Sequence, residues 1–166
     1  MGGAGLLEGD LDPASADLSA YADGRNDGFG YATVVGDFDG DGDDDLAIGA
    51  PGVDLNGANA GAVYIFFSPT TASIEPDEAD TVLFGSAPGD FAGATLVSGH
   101  DIDGDGKEDL VVGSNADHTG SNRARVAWVV SGASIEANPT MDLATSDAML
   151  TGEADDDAFG VSLAIG

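Results

Sequence analysis

Apolar residues fall in short runs along this chain. The runs are YATVV at 31–35, DLAIGA at 45–50, AVYIFF at 62–67 and TVLF at 81–84, then ATLVS at 94–98, DLVVG at 109–113, RVAWVV at 125–130 and AML at 148–150. They are rich in Val, Ile and aromatic residues and are bounded by Gly, Asp, Asn and Pro. No run of eleven or more residues holds a 3.6-residue period. The pattern predicts short β-strands and an all-β fold.

The pattern also repeats. Residues 29–52, FGYATVVGDFDGDGDDDLAIGAPG, match residues 91–115, FAGATLVSGHDIDGDGKEDLVVGSN. Asp37 and Asp101 stand 64 residues apart, as do Asp45 and Asp109. GAVYIFFSP at 61–69 parallels ARVAWVVSG at 124–132, and TASIEP at 71–76 parallels GASIEA at 132–137. A third copy opens at Phe159 with FGVSLAIG, and residues 5–22 resemble the second half of a repeat. Four short strands in about 60 residues are what one propeller blade requires. A β-sandwich, the rival all-β architecture, has no reason to repeat at this interval. The expectation is a partial β-propeller of about two and a half four-stranded blades. It divides as the second half of a blade at 1–28, complete repeats at 29–90 and 91–158, and the start of a third at 159–166. The array is then either part of a longer one, completed by further blades of a parent protein, or a short chain completed by self-association.

Charge narrows the partners. Thirty-one Asp and Glu face four Lys and Arg, for a formal charge of −27. Nucleic acid needs a cationic surface and is excluded as a partner; an anionic membrane surface is disfavoured for the same reason. No stretch reaches the length of a membrane span, so membrane insertion is not expected. The N-terminus lacks the basic and apolar regions of a signal peptide. There is no Cys, so thiolate metal sites and disulfides do not arise.

The acids concentrate in two loops of the form D-x-D-x-D-G-x-x-D. The first holds Asp37, Asp39, Asp41 and Asp45, the second Asp101, Asp103, Asp105 and Asp109, with Gly42 and Gly106 after the third acid of each. Acids at alternate positions of a curled loop can converge on one centre, and Gly supplies the sharp turn. Calcium takes 6–8 oxygen ligands. Position 7, Asp43 or Lys107, is expected to offer only its backbone carbonyl, and position 9, Asp45 or Asp109, to close the shell. Two calcium ions are therefore expected. Magnesium prefers fewer carboxylates and retained water, and zinc lacks its usual Cys and His ligands. These are not EF-hands: position 12 is Ile48 or Val112 rather than Glu. A solvated acidic turn is the plain alternative, but crowding four like charges twice is costly without a cation.

With these features in place, the chain resembles the FG-GAP repeat, the unit of the integrin α-subunit N-terminal propeller and of many bacterial surface proteins. Phe29-Gly30 supplies the FG, Gly49-Ala50-Pro51 the GAP, and the Asp loop lies between. The second copy departs with one inserted residue at Phe91-Ala92-Gly93 and with Gly113-Ser114-Asn115 in place of GAP. The resemblance implies a seven-bladed ring with calcium in the loop joining the first two strands of a blade. It also implies a non-catalytic adhesion or recognition module, extracellular or on a cell surface, with a protein or glycan ligand held by propeller loops. The alternative is an accessory propeller of a larger secreted enzyme whose catalytic domain lies outside this chain.

Nothing in the residues argues for catalysis within the segment. His100 precedes the second loop and His118 sits in a polar turn; no nucleophile motif accompanies them. The concentrated carboxylates are better explained as calcium ligands than as a glycosidase pair. Trp128, Tyr64, Phe66 and Phe67 lie on strand runs and are expected in the core. The acid run at 155–157 and Arg25 read as ordinary turn residues.

Overall fold

The structure, a computed structural model, describes residues 19–20, 27–70, 73–115 and 126–152. The third copy from Phe159, His118, Arg25, the acid run at 155–157 and most of segment 1–28 lie outside the described residues.

In chain order the strands are β1 (Ser19–Ala20), β2 (Ala32–Gly36), β3 (Asp45–Ala50), β4 (Ala62–Phe66), β5 (Ser73–Ile74), β6 (Thr81–Phe84), β7 (Ala92–Val97), β8 (Leu110–Ser114), β9 (Val126–Val130), β10 (Thr140–Asp142) and β11 (Ala148–Thr151), with one helix, α1 (Gly132–Ala137). Each of the eight apolar runs is a strand. Strands β2, β3, β4 and β6 form one antiparallel meander and β7, β8, β9 and β11 a second. The chain is thus an all-β partial propeller, two four-stranded blades standing face to face.

The faces meet because the period-2 pattern aims one set of side chains between the blades. Ala47, Val63, Ile65 and Leu83 from the first blade and Leu96, Leu110, Val112, Trp128 and Val130 from the second share one buried cluster. The opposite face of the first blade is covered as well. Ile48, Phe66 and Ile74 bury there, with Phe29 and Tyr64 stacked edge to face at 5.5 Å. Trp128 and Phe66 are therefore core residues, and Tyr64 and Phe67 are partly buried against the same clusters. At the blade crossing, a Cβ on Gly49 would lie 2.0 Å from the carbonyl oxygen of Gly93. The residue inserted in the second copy becomes a bulge in β7, between Ala92 and Thr95.

Three short parallel strands were not legible in the sequence. β10, from the second repeat, pairs with the outer strand β6 of the first blade. β5 pairs in the same sense with β1, which stands 64 residues before Leu83–Phe84. So each repeat lends a strand to the edge that precedes it. Thr81, buried, adds a side-chain bond from its Oγ1 to the Ile135 carbonyl of α1 at 3.0 Å. The outer strand β11 has no such neighbour among the described residues. Leu150 is 50% exposed there, whereas its counterpart Leu83 is fully buried. None of the described helices is long and apolar enough to cross a membrane.

Candidate metal centre

The two Asp loops join β2 to β3 and β7 to β8, the first two strands of each blade. Four of their internal hydrogen bonds recur position for position. Asp37 accepts from the N–H groups of Gly40 (2.8 Å) and Gly42 (3.1 Å), and Asp101 from those of Gly104 (2.6 Å) and Gly106 (2.9 Å). Asp39 accepts from Asp41 N–H, and Asp103 from Asp105 N–H, both at 3.0 Å. Asp41 accepts from Asp43 N–H, and Asp105 from Lys107 N–H, both at 2.8 Å. These bonds curl the backbone around the acids. Gly42 and Gly106 sit at φ +91° and +93° with open space where a Cβ would go, so conformation alone requires glycine.

The ninth residue of each loop is a staple. Asp45 is 1% exposed. Its Oδ2 accepts from Phe38 N–H at 2.7 Å and its Oδ1 from Ser68 N–H at 2.9 Å, beyond the end of β4. Asp109 does the same with Ile102 N–H at 2.7 Å and Gly132 N–H at 3.1 Å. Ser68 and Gly132 are again 64 residues apart. Sequence reasoning missed both, although the common spacing held the signal.

The carboxylates converge. One oxygen each from Asp37, Asp39 and Asp41 lies within 4.8 Å of the others, and so does one each from Asp101, Asp103 and Asp109. Asp45 is outside the first set and Asp105 outside the second. Asp105 turns one oxygen to Ala133 N–H at the start of α1, at 3.3 Å. Asp43 is exposed. The Lys107 side chain, which the sequence left without a role, reaches back to the first loop, where its Nζ donates to the Asp39 carbonyl. His100 is exposed and closes the second loop through its carbonyl, which accepts from Asp109 N–H at 2.9 Å.

Electrostatics differ within a loop. N–H bonds from Gly106, then Gly104 and Asp105, hold the Asp101 carboxyl below its usual range against a partial loss of water. Asp103 is pushed up, first because the curl strips part of its water and then by repulsion from Asp105, Asp109 and Asp101. Burial pushes Asp45 up despite the N–H bonds from Ser68 and Phe38. The Glu136 carboxylate, 3.1 Å from Nζ, raises Lys107.

The donor set fits a hard cation. Two oxygens on opposite sides of one calcium ion are about 5 Å apart at most, twice a bond of about 2.3–2.6 Å. Oxygens all within 4.8 Å of one another can therefore share one ion. The N–H bonds occupy only part of each carboxylate's acceptor capacity, about four lone-pair sites. Both loops present oxygen donors and no sulfur or imidazole.

Comparison with known proteins places both loops in repeats of one family. The FG-GAP repeat family matches residues 29–66 and 92–129, which are the two Asp loops with the strands around them. Integrin alpha-X of Mus musculus is 42% identical over 89 residues, 52% of this chain and 7% of that protein. Phosphatidylinositol-glycan-specific phospholipase D is 34% identical over 137 residues in Bos taurus, covering 81% of this chain and 16% of that protein. The Homo sapiens form is 32% identical over 161 residues, covering 92% and 19%. The chain thus spans less than a fifth of the length of these curated relatives. Two matched repeats, the propeller blades they build and these relatives together make the chain an FG-GAP repeat protein, similar to the integrin α propeller.

Proposed function

We propose that this chain is a calcium-binding propeller segment that serves as a non-catalytic recognition module of an extracellular or cell-surface protein. One calcium ion belongs to each Asp loop. In the first, Asp37, Asp39 and Asp41 are the side-chain ligands, with the Asp43 carbonyl beside them; in the second, Asp101, Asp103, Asp105 and Asp109, with the Lys107 carbonyl. Asp45 and Asp109 also staple their loops through backbone N–H bonds, Asp109 from within the converging set and Asp45 from outside it. The observation that carries this reading is the convergence of three carboxylates at the same place in two successive blades. Bound calcium would supply the positive charge that lets these acids stay together. Protein or glycan ligands would meet the loops of the propeller, as the likeness to integrin α chains supports.

A second reading has its own support. Matches to a phospholipase D named for a phosphatidylinositol-glycan substrate cover 81% and 92% of this chain. On that reading the segment is an accessory propeller, and catalysis belongs to another part of a secreted enzyme. The sequence of the parent polypeptide on either side separates the two, since a hydrolase domain favours the second.

Calorimetric titration of calcium into chelator-stripped protein tests the site itself. Two ions per chain are expected, with affinities in the micromolar to millimolar range of sensor and extracellular modules. No uptake at millimolar calcium would remove the reading.

A further inference from the structure

The two loops touch. Glu108 N–H, in the second loop, donates to the Asp37 carbonyl of the first at 2.9 Å. Next to it, Lys107 Nζ donates to the Asp39 carbonyl and pairs with Glu136 of α1 at 3.1 Å. The lysine stem runs between two glycines. A Cβ on Gly40, in the first loop, would lie 3.0 Å from Lys107 Cγ, and one on Gly132 would lie 2.4 Å from Lys107 Cβ. Phe38, fully buried, joins the cluster that holds Leu110 and Ile135. Lys107 is the only lysine of the chain, and among the described residues no Arg accompanies it.

Resting on the calcium reading above, we propose that the two loops form a coupled pair, with Lys107 as the positioning residue that couples them. Its backbone belongs to one calcium site and its side chain holds the backbone of the other. Closing the second loop on an ion fixes the Lys107 backbone. That in turn fixes the ammonium on Asp39 and, through Glu108, the carbonyl of Asp37. Filling one loop therefore pre-orders the other and raises its affinity. The effect is reciprocal, because coupling between binding sites must be. Direct repulsion between two bound ions opposes it and is weakened by salt.

Calcium titrations of the full chain at about 0.15 M salt test the coupling. The variants are Asp39→Asn, which cripples the first loop, Asp103→Asn, which cripples the second, Lys107→Met alone with both loops intact, and Lys107→Met combined with each of the first two. Asparagine keeps the oxygen that accepts the neighbouring N–H, so the loops remain folded. The product of the two association constants of the unmodified chain is expected to exceed the product from the two single-loop variants by about fivefold or more, the lower end for coupled sites. With Lys107→Met that excess should fall below about twofold, since the stem remains and only the ammonium is lost. A ratio of one in the unmodified chain would overturn the coupling while leaving two calcium sites in place. A ratio unaltered by Lys107→Met would overturn the role of Lys107. No uptake in any variant would remove the calcium reading and the coupling with it.

Discussion

Asp39 and Asp45 share a loop and a charge, yet their surroundings set them apart. Asp45 is buried and both of its oxygens take backbone N–H groups, from Phe38 and from Ser68. Asp39 is partly exposed and accepts only the local N–H of Asp41. Leaving buried donors unsatisfied costs about 1–3 kcal/mol. In chelator, Asp45→Ala is therefore expected to lower unfolding stability by about 2–3 kcal/mol, while Asp39→Ala stays within about 0.5 kcal/mol of the parent. Denaturant unfolding measures both. Equal stability of the two variants would mean that Asp45 does not hold the loop. The sequence makes the acids and their spacing legible. It does not show which acid staples the loop, because the partner of Asp45 lies 23 residues on, past the end of β4.

Elements tell a similar story. The eight strands with an apolar run of three or more residues are readable from pattern alone. Strands β1, β5 and β10 are only two or three residues long, too short for a period to show, and each of their pairings joins two successive repeats. Local chemistry also splits two nearly identical segments. GASIEA at 132–137 is helix α1, capped by the Ser131 hydroxyl, which accepts from Ser134 N–H at 3.3 Å. In TASIEP, Ser73–Ile74 is strand β5 instead. Pro76 follows Glu75 and holds it extended at φ −124° and ψ 156°, because a residue before proline avoids the helical region. Where the blades cross, the controlling contact is backbone on backbone. Gly49→Val would drive a Cβ into the Gly93 carbonyl of the neighbouring blade. A loss of about 3 kcal/mol is expected, the upper end for overpacking, visible as a lower midpoint in denaturant. A variant as stable as the parent would mean that β3 and β7 do not approach at this point.

At the scale of the whole molecule, charge and fold are in tension. A chain of 166 residues carrying −27 repels itself, and compaction makes that worse. The repulsion is most concentrated in the two loops, where folding brings three carboxylates within 4.8 Å. The N–H bonds around Asp37 and Asp101 offset part of it; a divalent ion in each loop would offset far more. Binding confined to the folded state stabilises by about 2.7 kcal/mol per site at a hundredfold excess over Kd. Ordinary salt screens the diffuse charge but cannot fill an oxygen cage. The direct measurement is thermal melting of the chelator-stripped chain with millimolar calcium, with millimolar magnesium, and with sodium at matched ionic strength. Calcium should raise the melting temperature well beyond the other two, and chelator should reverse the gain. Equal shifts for all three cations would mean that the Asp loops are no more than a screened acidic surface.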